Sequence, residues 1–222
     1  MCLALNFDSL RLREHVLFAR SLTAAMLLVS VTLGCGKEEG ATEAAGKSEQ
    51  SSAEPLDAAL AAELNRAVGM MGRFEFEQAA AEFARIAKLP NAPREVALGH
   101  AIAILNQSRE GAQDEALALL GEFLKTNPPK DLALRSRYCQ GLCLLYLGKP
   151  AEALTAFLPV AEARGEDAYA QYFTGQALEQ TGEYAKAIGW YEKAATRDAR
   201  LKSAFLGIQR CARRAGDEAR AE

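Results

Sequence analysis

Beyond Pro55, apolar residues recur at offsets of four and three, the spacing of one face of an α-helix. Ala79, Phe83 and Ile86 make one such set, and Ala116, Leu120 and Phe123 a second. Ala153, Phe157 and Val160 make a third, and Ala187, Tyr191 and Ala194 a fourth. The sets follow one another at steps of 37, 37 and 34 residues. Small residues repeat on the same 34-residue period: Gly141 and Gly175; Gly148, Gly182 and Gly216; Ala153, Ala187 and Ala221. A period of that length with a helical rhythm predicts one pair of helices per repeat. Gly141 and Gly175 stand where two helices approach closely. Gly148 and Gly182 stand where a left-handed residue ends a helix. Ala153 and Ala187 let the second helix pack tightly, with Phe157 and Tyr191 filling the space between repeats. No pair can bury its apolar face alone, so the pairs must stack. The expected fold is all-α, an α-solenoid of about four helix-turn-helix repeats over residues 56–222, in which 201–222 supplies a capping helix and the start of another.

The series Gly175, Gly182, Tyr184, Ala187, Tyr191 and Ala194 resembles the tetratricopeptide repeat. That motif places a small residue in the first helix, Gly and Tyr at the turn, and Ala, an aromatic and Ala in the second helix. Gly141, Gly148, Ala153, Phe157 and Val160 follow it one repeat earlier, with Pro150 in the tyrosine place, where a first helical turn accepts proline. Trp190 to Ala195 followed by Leu206 and Gly207 is also similar to Sel1-like repeats, although the 34-residue step is that of the tetratricopeptide form. The resemblance implies a partner-binding groove lined by the first helix of each repeat. Carried onto this chain, the groove comprises Arg135, Tyr138, Leu142, Leu145 and Tyr146, then Tyr169, Tyr172, Gln176, Glu179 and Gln180. Ser203, Leu206, Arg210, Arg213 and Arg214 complete it. The tyrosines offer apolar area with a polar tip at small entropic cost, although Tyr138 and Tyr172 would serve equally as packing between helices. The basic residues Lys193, Arg197, Arg200, Lys202, Arg210, Arg213 and Arg214 suit an acidic protein or peptide partner. The Lys and Asn of the carboxylate-clamp subgroup are replaced by Tyr138, Leu142, Tyr172 and Gln176, so binding of chaperone tails does not carry over.

The N-terminal quarter has another character. Arg11, Arg13 and Arg20 precede an uncharged run from Ser21 to Gly34. As a helix that run rises about 21 Å, short of the roughly 30 Å hydrocarbon core of a bilayer, so residues 1–34 read as an export signal and not a permanent span. The end of the run, Val31-Thr32-Leu33-Gly34-Cys35-Gly36, resembles a bacterial lipobox, with Thr32 in the usual leucine place and Leu33 one position nearer the cysteine. The resemblance implies lipid attachment at Cys35 and a membrane-anchored protein on the extracytoplasmic side of a bacterial envelope. Gly36, where many inner-membrane lipoproteins carry Asp, favours the outer membrane. Residues 36–55 contain no aromatic, Ile, Leu, Val or Met, so they read as a disordered linker. Ala41 to Ser48 inside it loosely matches a phosphate-binding loop. Without a strand before it and a helix after it, the match carries no nucleotide site.

Composition narrows the function further. The 222-residue chain is 50% hydrophobic and 25% charged with a net charge of −3, which gives no signature of nucleic-acid binding. Two histidines, His15 and His100, exclude a multi-histidine metal site once the leader is removed. Five cysteines form too sparse a set for a disulfide scaffold. Cys139 and Cys143, four apart on one helical face, leave open an alternative of a different class: a thiol- or metal-dependent protein. The principal expectation is a non-enzymatic interaction scaffold or adaptor with no cofactor and no small-molecule substrate.

Overall fold

The computed structural model describes residues 58–217. The expected export signal, Cys35, the expected linker and Ala221 lie outside the described residues. The described residues form α-helices joined by turns, in two compact units that meet in sequence between Ala92 and Pro93. The first unit contains α1 (Ala58–Gly72) and α2 (Phe76–Ile86). The second contains α3 (Glu95–Leu105), α4 (Ala112–Lys125), α5 (Lys130–Tyr146), α6 (Pro150–Ala163), α7 (Ala168–Gln180), α8 (Tyr184–Arg197) and α9 (Lys202–Ala215). The order is four helical hairpins and a closing helix, as the spacing predicts. None of these helices is long and apolar enough to cross a membrane.

In the first unit, Leu60, Ala67 and Met71 of α1 are buried, as are Ala79, Phe83 and Ile86 of α2. Arg85 bridges Glu63 of α1 at 2.9 Å and Glu82 at 3.1 Å, and Arg66 joins the same Glu82 carboxylate. Those two arginines, Arg85 foremost, hold Glu82 down at about 2. The turn between the helices passes through Phe74 in the left-handed region, at φ 64°. Counting 37 and 34 residues onward from Phe74 leads to Gly111, Gly148, Gly182 and Gly216, all left-handed. The first repeat thus has the turn geometry of the others without their glycine.

In the second unit, each helix packs on its neighbours in sequence, and α3 touches α5, α5 touches α7 and α7 touches α9. No two of the second helices α4, α6 and α8 touch, so the array bends around the side occupied by the first helices. The seam between hairpins is built from the residues whose spacing announced it. Ala116, Leu120, Ala153, Phe157, Ala187, Tyr191 and Ala194 are all fully enclosed. A Cβ on Gly141 would stand 2.5 Å from the Phe157 ring, and one on Gly175 would stand 2.9 Å from the Tyr191 ring. Gly207 of α9 presses on the other edge of Tyr191, where a Cβ would stand 2.6 Å away.

The aromatic rings form a chain across the repeats. Tyr138 meets Phe157 edge-on at 5.6 Å, and Phe157 stacks on Phe173 at 5.7 Å. Tyr172 then links Phe173 at 5.1 Å to Tyr191 at 5.6 Å. Helix ends follow the expected chemistry. After Gly148 and Gly182 the chain reverses with Lys149 N–H donating to Leu144 O at 2.8 Å and Glu183 N–H to Leu178 O at 2.9 Å. Pro150 opens α6, and the Asp167 carboxylate caps α7 by accepting from the N–H groups of Tyr169 and Ala170, both at 3.0 Å.

Candidate functional site

The first helices α5, α7 and α9 lie side by side, so the groove residues carried over from the motif fall on one side of the second unit. Their environments differ. Tyr138 and Tyr172 are 8% and 6% exposed, with rings engaged by Phe157, Phe173 and Tyr191. Of the two roles their positions allowed, the structure shows packing. Burial, with the nearby charge of Asp167, also pushes the Tyr138 hydroxyl well above its ordinary pKa. Leu142 is buried as well. Tyr146, Tyr169 and Gln176 are half-buried, and Arg135 is half-buried with its Nε 2.9 Å from Asp131. Gln180, Leu206, Arg210, Arg213 and Arg214 are exposed.

Glu179 organises the boundary between α7 and α9. Its carboxylate receives Arg210 through two parallel hydrogen bonds, Nε to Oε1 and Nη2 to Oε2, both 2.8 Å. Tyr191, reaching through the seam from α8, donates its hydroxyl to Oε2 at 2.7 Å. Burial alone would push Glu179 up. The hydrogen bonds from Arg210 and Tyr191, with the charges of Arg210 and Arg214, outweigh it and hold the carboxyl below its ordinary value. Burial first, then the Glu179 charge, raises the Tyr191 hydroxyl far above its usual range, so it stays a donor.

The bidentate fork fixes the Arg210 guanidinium on the surface, and two planar partners in register give it a defined direction. This cluster was not assembled by reading along the chain, because its members are 31 and 12 residues apart. The signal lies in the register across repeats. Arg210 is the 34-residue counterpart of Gln176, which sits one helical turn from Glu179 on the same face.

The basic series around α8 and α9 is partly committed within the molecule. Arg210 serves Glu179, and Arg200 pairs with Asp198 at 3.3 Å. Lys193 lies 3.9 Å over the Trp190 ring, and Arg214 reaches the Tyr184 hydroxyl at 3.4 Å. Lys202 and Arg213 stand exposed on α9, a helix with no acidic residue.

The alternative chemistry fares differently. Cys139, Cys143 and Cys211 are free thiols with no exposed surface. Burial, and for Cys139 also the neighbouring Cys143, drives the Cys139 thiol far up; burial pushes Cys143 up to about 12 and Cys211 to about 11. Thiolate is the form that attacks or ligates, so these positions act as small apolar residues. No group of three potential metal ligands gathers among the described residues. His100 is half-buried, and burial lowers its pKa against the opposing charge of Glu115.

Helical hairpins that turn through left-handed glycines, stacked on an Ala–aromatic–Ala seam with small residues opposite the rings, define an all-α repeat solenoid of the tetratricopeptide type. Residues 138–201 match the family model described as tetratricopeptide repeat, from midway along α5 through the end of α8. The fold is shared by MamA, residues 41 to the end, from Desulfovibrio magneticus RS-1, at 21% identity and TM-score 0.66, over 75% of this chain and 92% of that one. It is shared also by MamA of strain AMB-1, at 20% identity and TM-score 0.61, over 73% and 86% of the two chains. YrrB, described as a tetratricopeptide protein with an unusual peptide-binding site, aligns at 18% identity and TM-score 0.60, over 72% and 79%. No curated protein sequence matches the chain.

Proposed function

We propose that this protein is a non-enzymatic interaction scaffold of a bacterial envelope, lipid-anchored through Cys35, which holds an acidic polypeptide partner on its first-helix side. One observation carries the reading: Arg210, fixed by Glu179 through two 2.8 Å bonds, sits on a side that also exposes Gln180, Leu206, Arg213 and Arg214. Such a surface combines directed donors, net positive charge and one apolar contact, the chemistry of peptide binding and not of bond cleavage. The description of YrrB as peptide-binding supports the same use of the fold. The lipobox-like run ending at Cys35 supports the anchor, and Gly36 favours the outer membrane.

The groove is tested by crosslinking capture from native membranes with wild-type chain and with the double variant Gln176→Glu, Arg214→Glu. Both positions leave the seam untouched, so helicity should hold while the captured partner is lost. Equal capture by the folded double variant overturns the groove. Cys35→Ser should move the protein into the soluble fraction, and continued membrane retention overturns the anchor alone.

A further inference from the structure

The outer ridge of α8 carries a side-chain pattern that stacking does not require. Ala187, Ile188, Tyr191, Ala194 and Ala195 of this helix are buried. Lys186, Trp190, Lys193 and Arg197 follow one another at offsets of four, three and four, which sets them in one stripe away from that buried face. Trp190 is half-buried, the three cations are exposed, and the Lys193 ammonium stands 3.9 Å over the Trp190 ring. On the repeat register the same stripe reads Glu152, Ala156, Pro159 and Ala163 on α6, and Glu115, Leu119, Glu122 and Thr126 on α4. The seam forms equally well with acidic or apolar residues there. Among the described hairpins of the second unit, the basic and aromatic stripe belongs to α8 alone. Glu183 engages Lys186, and Glu192 stands about 100° round the helix from Lys193. The net positive charge of the stripe therefore comes from Lys193 and Arg197.

Shape and chemistry together choose the occupant. The second helices of this unit stand on the outer side of the bend and none touches another, so α8 presents a ridge and not a groove. A peptide needs a concavity to bury its own apolar face, whereas a bilayer surface meets a ridge along its length. A tryptophan ring suits the headgroup layer, with its apolar body toward the acyl chains and its N–H toward water. Lys193 and Arg197 lie about one and two turns beyond Trp190 on the same side, and their long stems bring the charges to phosphate at that depth. The glutamates at this register on α4 and α6 would be repelled, so the contact is confined to the end of the array that carries α8.

We propose that the side of α8 formed by Lys186, Trp190, Lys193 and Arg197 rests on an anionic phospholipid surface, with the Trp190 ring in the headgroup layer and Lys193 and Arg197 paired with phosphate. This goes beyond the function proposed above. It uses no groove residue and needs no acyl chain at Cys35, so it succeeds or fails separately from both.

Trp190 is the single tryptophan of the chain, so its emission reports this side directly. The test uses the full chain carrying Cys35→Ser, which cannot be acylated there, and vesicles whose lipids bear brominated acyl chains that quench a nearby tryptophan. Vesicles of phosphatidylglycerol with phosphatidylcholine should shift the emission to the blue and quench it, and vesicles of phosphatidylcholine alone should not. Lys193→Gln with Arg197→Gln should raise the lipid concentration for half-maximal quenching, about fivefold for each charge removed. Salt at about 0.5 M should abolish the quenching, because the surface potential is then screened within a few Å. Attachment through the expected export signal is common to every variant, whereas quenching reads the position of Trp190 itself. Both substituted side chains are exposed, so native helicity should hold; if it does not, Lys193→Gln alone carries the test. No quenching by the anionic vesicles, equal quenching by the neutral ones, or indifference to both the substitutions and salt overturns the proposal. A blue shift produced by polyglutamate and not by the anionic vesicles would assign the side to an acidic polypeptide and overturn it equally.

Discussion

Replacing Gly141 by alanine adds a single methyl group where the Phe157 ring already stands. An ideal Cβ would lie 2.5 Å from Cζ, 2.6 Å from Cε1 and 2.7 Å from Cε2. Carbon atoms rest about 3.5–4.0 Å apart, so the ring or helix α5 must retreat by roughly 1 Å. The ring has little freedom, because it stacks on Phe173 at 5.7 Å and meets Tyr138 at 5.6 Å. Overpacking of this kind costs about 1–3 kcal/mol, while alanine gains about 1 kcal/mol over glycine within a helix. The net expectation is a loss of up to about 2 kcal/mol. Gly189 supplies the opposite sign: it lies within α8, and an added Cβ meets no atom within 4 Å. Gly189→Ala should therefore gain about 1 kcal/mol. With a urea slope of about 2 kcal/mol/M, the unfolding midpoint should fall by up to about 1 M for Gly141→Ala and rise by about 0.5 M for Gly189→Ala. Urea titration followed by far-ultraviolet circular dichroism reads both. Adding Phe157→Leu to Gly141→Ala should give a double variant less damaged than the two single losses summed, since both act on one contact. A Gly141→Ala midpoint raised as far as that of Gly189→Ala would refute the close-packed seam.

Tyr191→Phe keeps the ring between Gly175 and Gly207 but removes the 2.7 Å hydrogen bond to charged Glu179. Thermal unfolding should show a loss of about 1.5–3 kcal/mol, and a variant as stable as wild type would refute a role for the hydroxyl. Iodoacetamide at about pH 8 should leave Cys139, Cys143 and Cys211 unmodified in the native chain and alkylate all three in urea. Site-resolved mass spectrometry showing native alkylation of Cys143 would refute the inert reading. Glu82 has a lowered folded value near 2, so its contribution is complete above the ordinary carboxylate range and fades as pH falls toward 2. The stability difference between wild type and Glu82→Gln should shrink over that acid window, and a difference independent of pH would refute the ion-pair account of the first unit.

The seam was legible because one requirement, burial on a helical face, acts on every repeat and leaves the same offsets each time. Ala153, Phe157 and Val160 are enclosed for the same reason as Ala187, Tyr191 and Ala194. Turn positions were nearly as legible, since a left-handed residue selects glycine. Phe74 escaped because the hairpin of α1 and α2 imposes that conformation on a residue carrying no such signal. The candidate site was less legible. Tyr138 and Tyr172 occupy register positions that border both the groove and the seam, and position alone does not say which closes over them. Their neighbours Phe157, Phe173 and Tyr191 decide it, and those contacts exist only once the repeats are stacked. Arg210 and Glu179 belong to different repeats, so no local pattern pairs them.

Core and surface meet at Tyr191. Its ring is part of the seam, held at both edges by Gly175 and Gly207, while its hydroxyl ends on the carboxylate that orients Arg210. The position of a groove charge is therefore tied to the spacing of α7, α8 and α9. If the hairpins slid relative to one another, the ring would lose its glycine slots and Glu179 would lose a donor, and the Arg210 fork would no longer meet both carboxylate oxygens. Stacking energy and surface chemistry are consequently not independent here: whatever fixes the register of α7, α8 and α9 also fixes where Arg210 is held by its two bonds to Glu179. The proposed function would gain from that coupling, because an anchor already held in place loses little rotamer freedom when a partner binds.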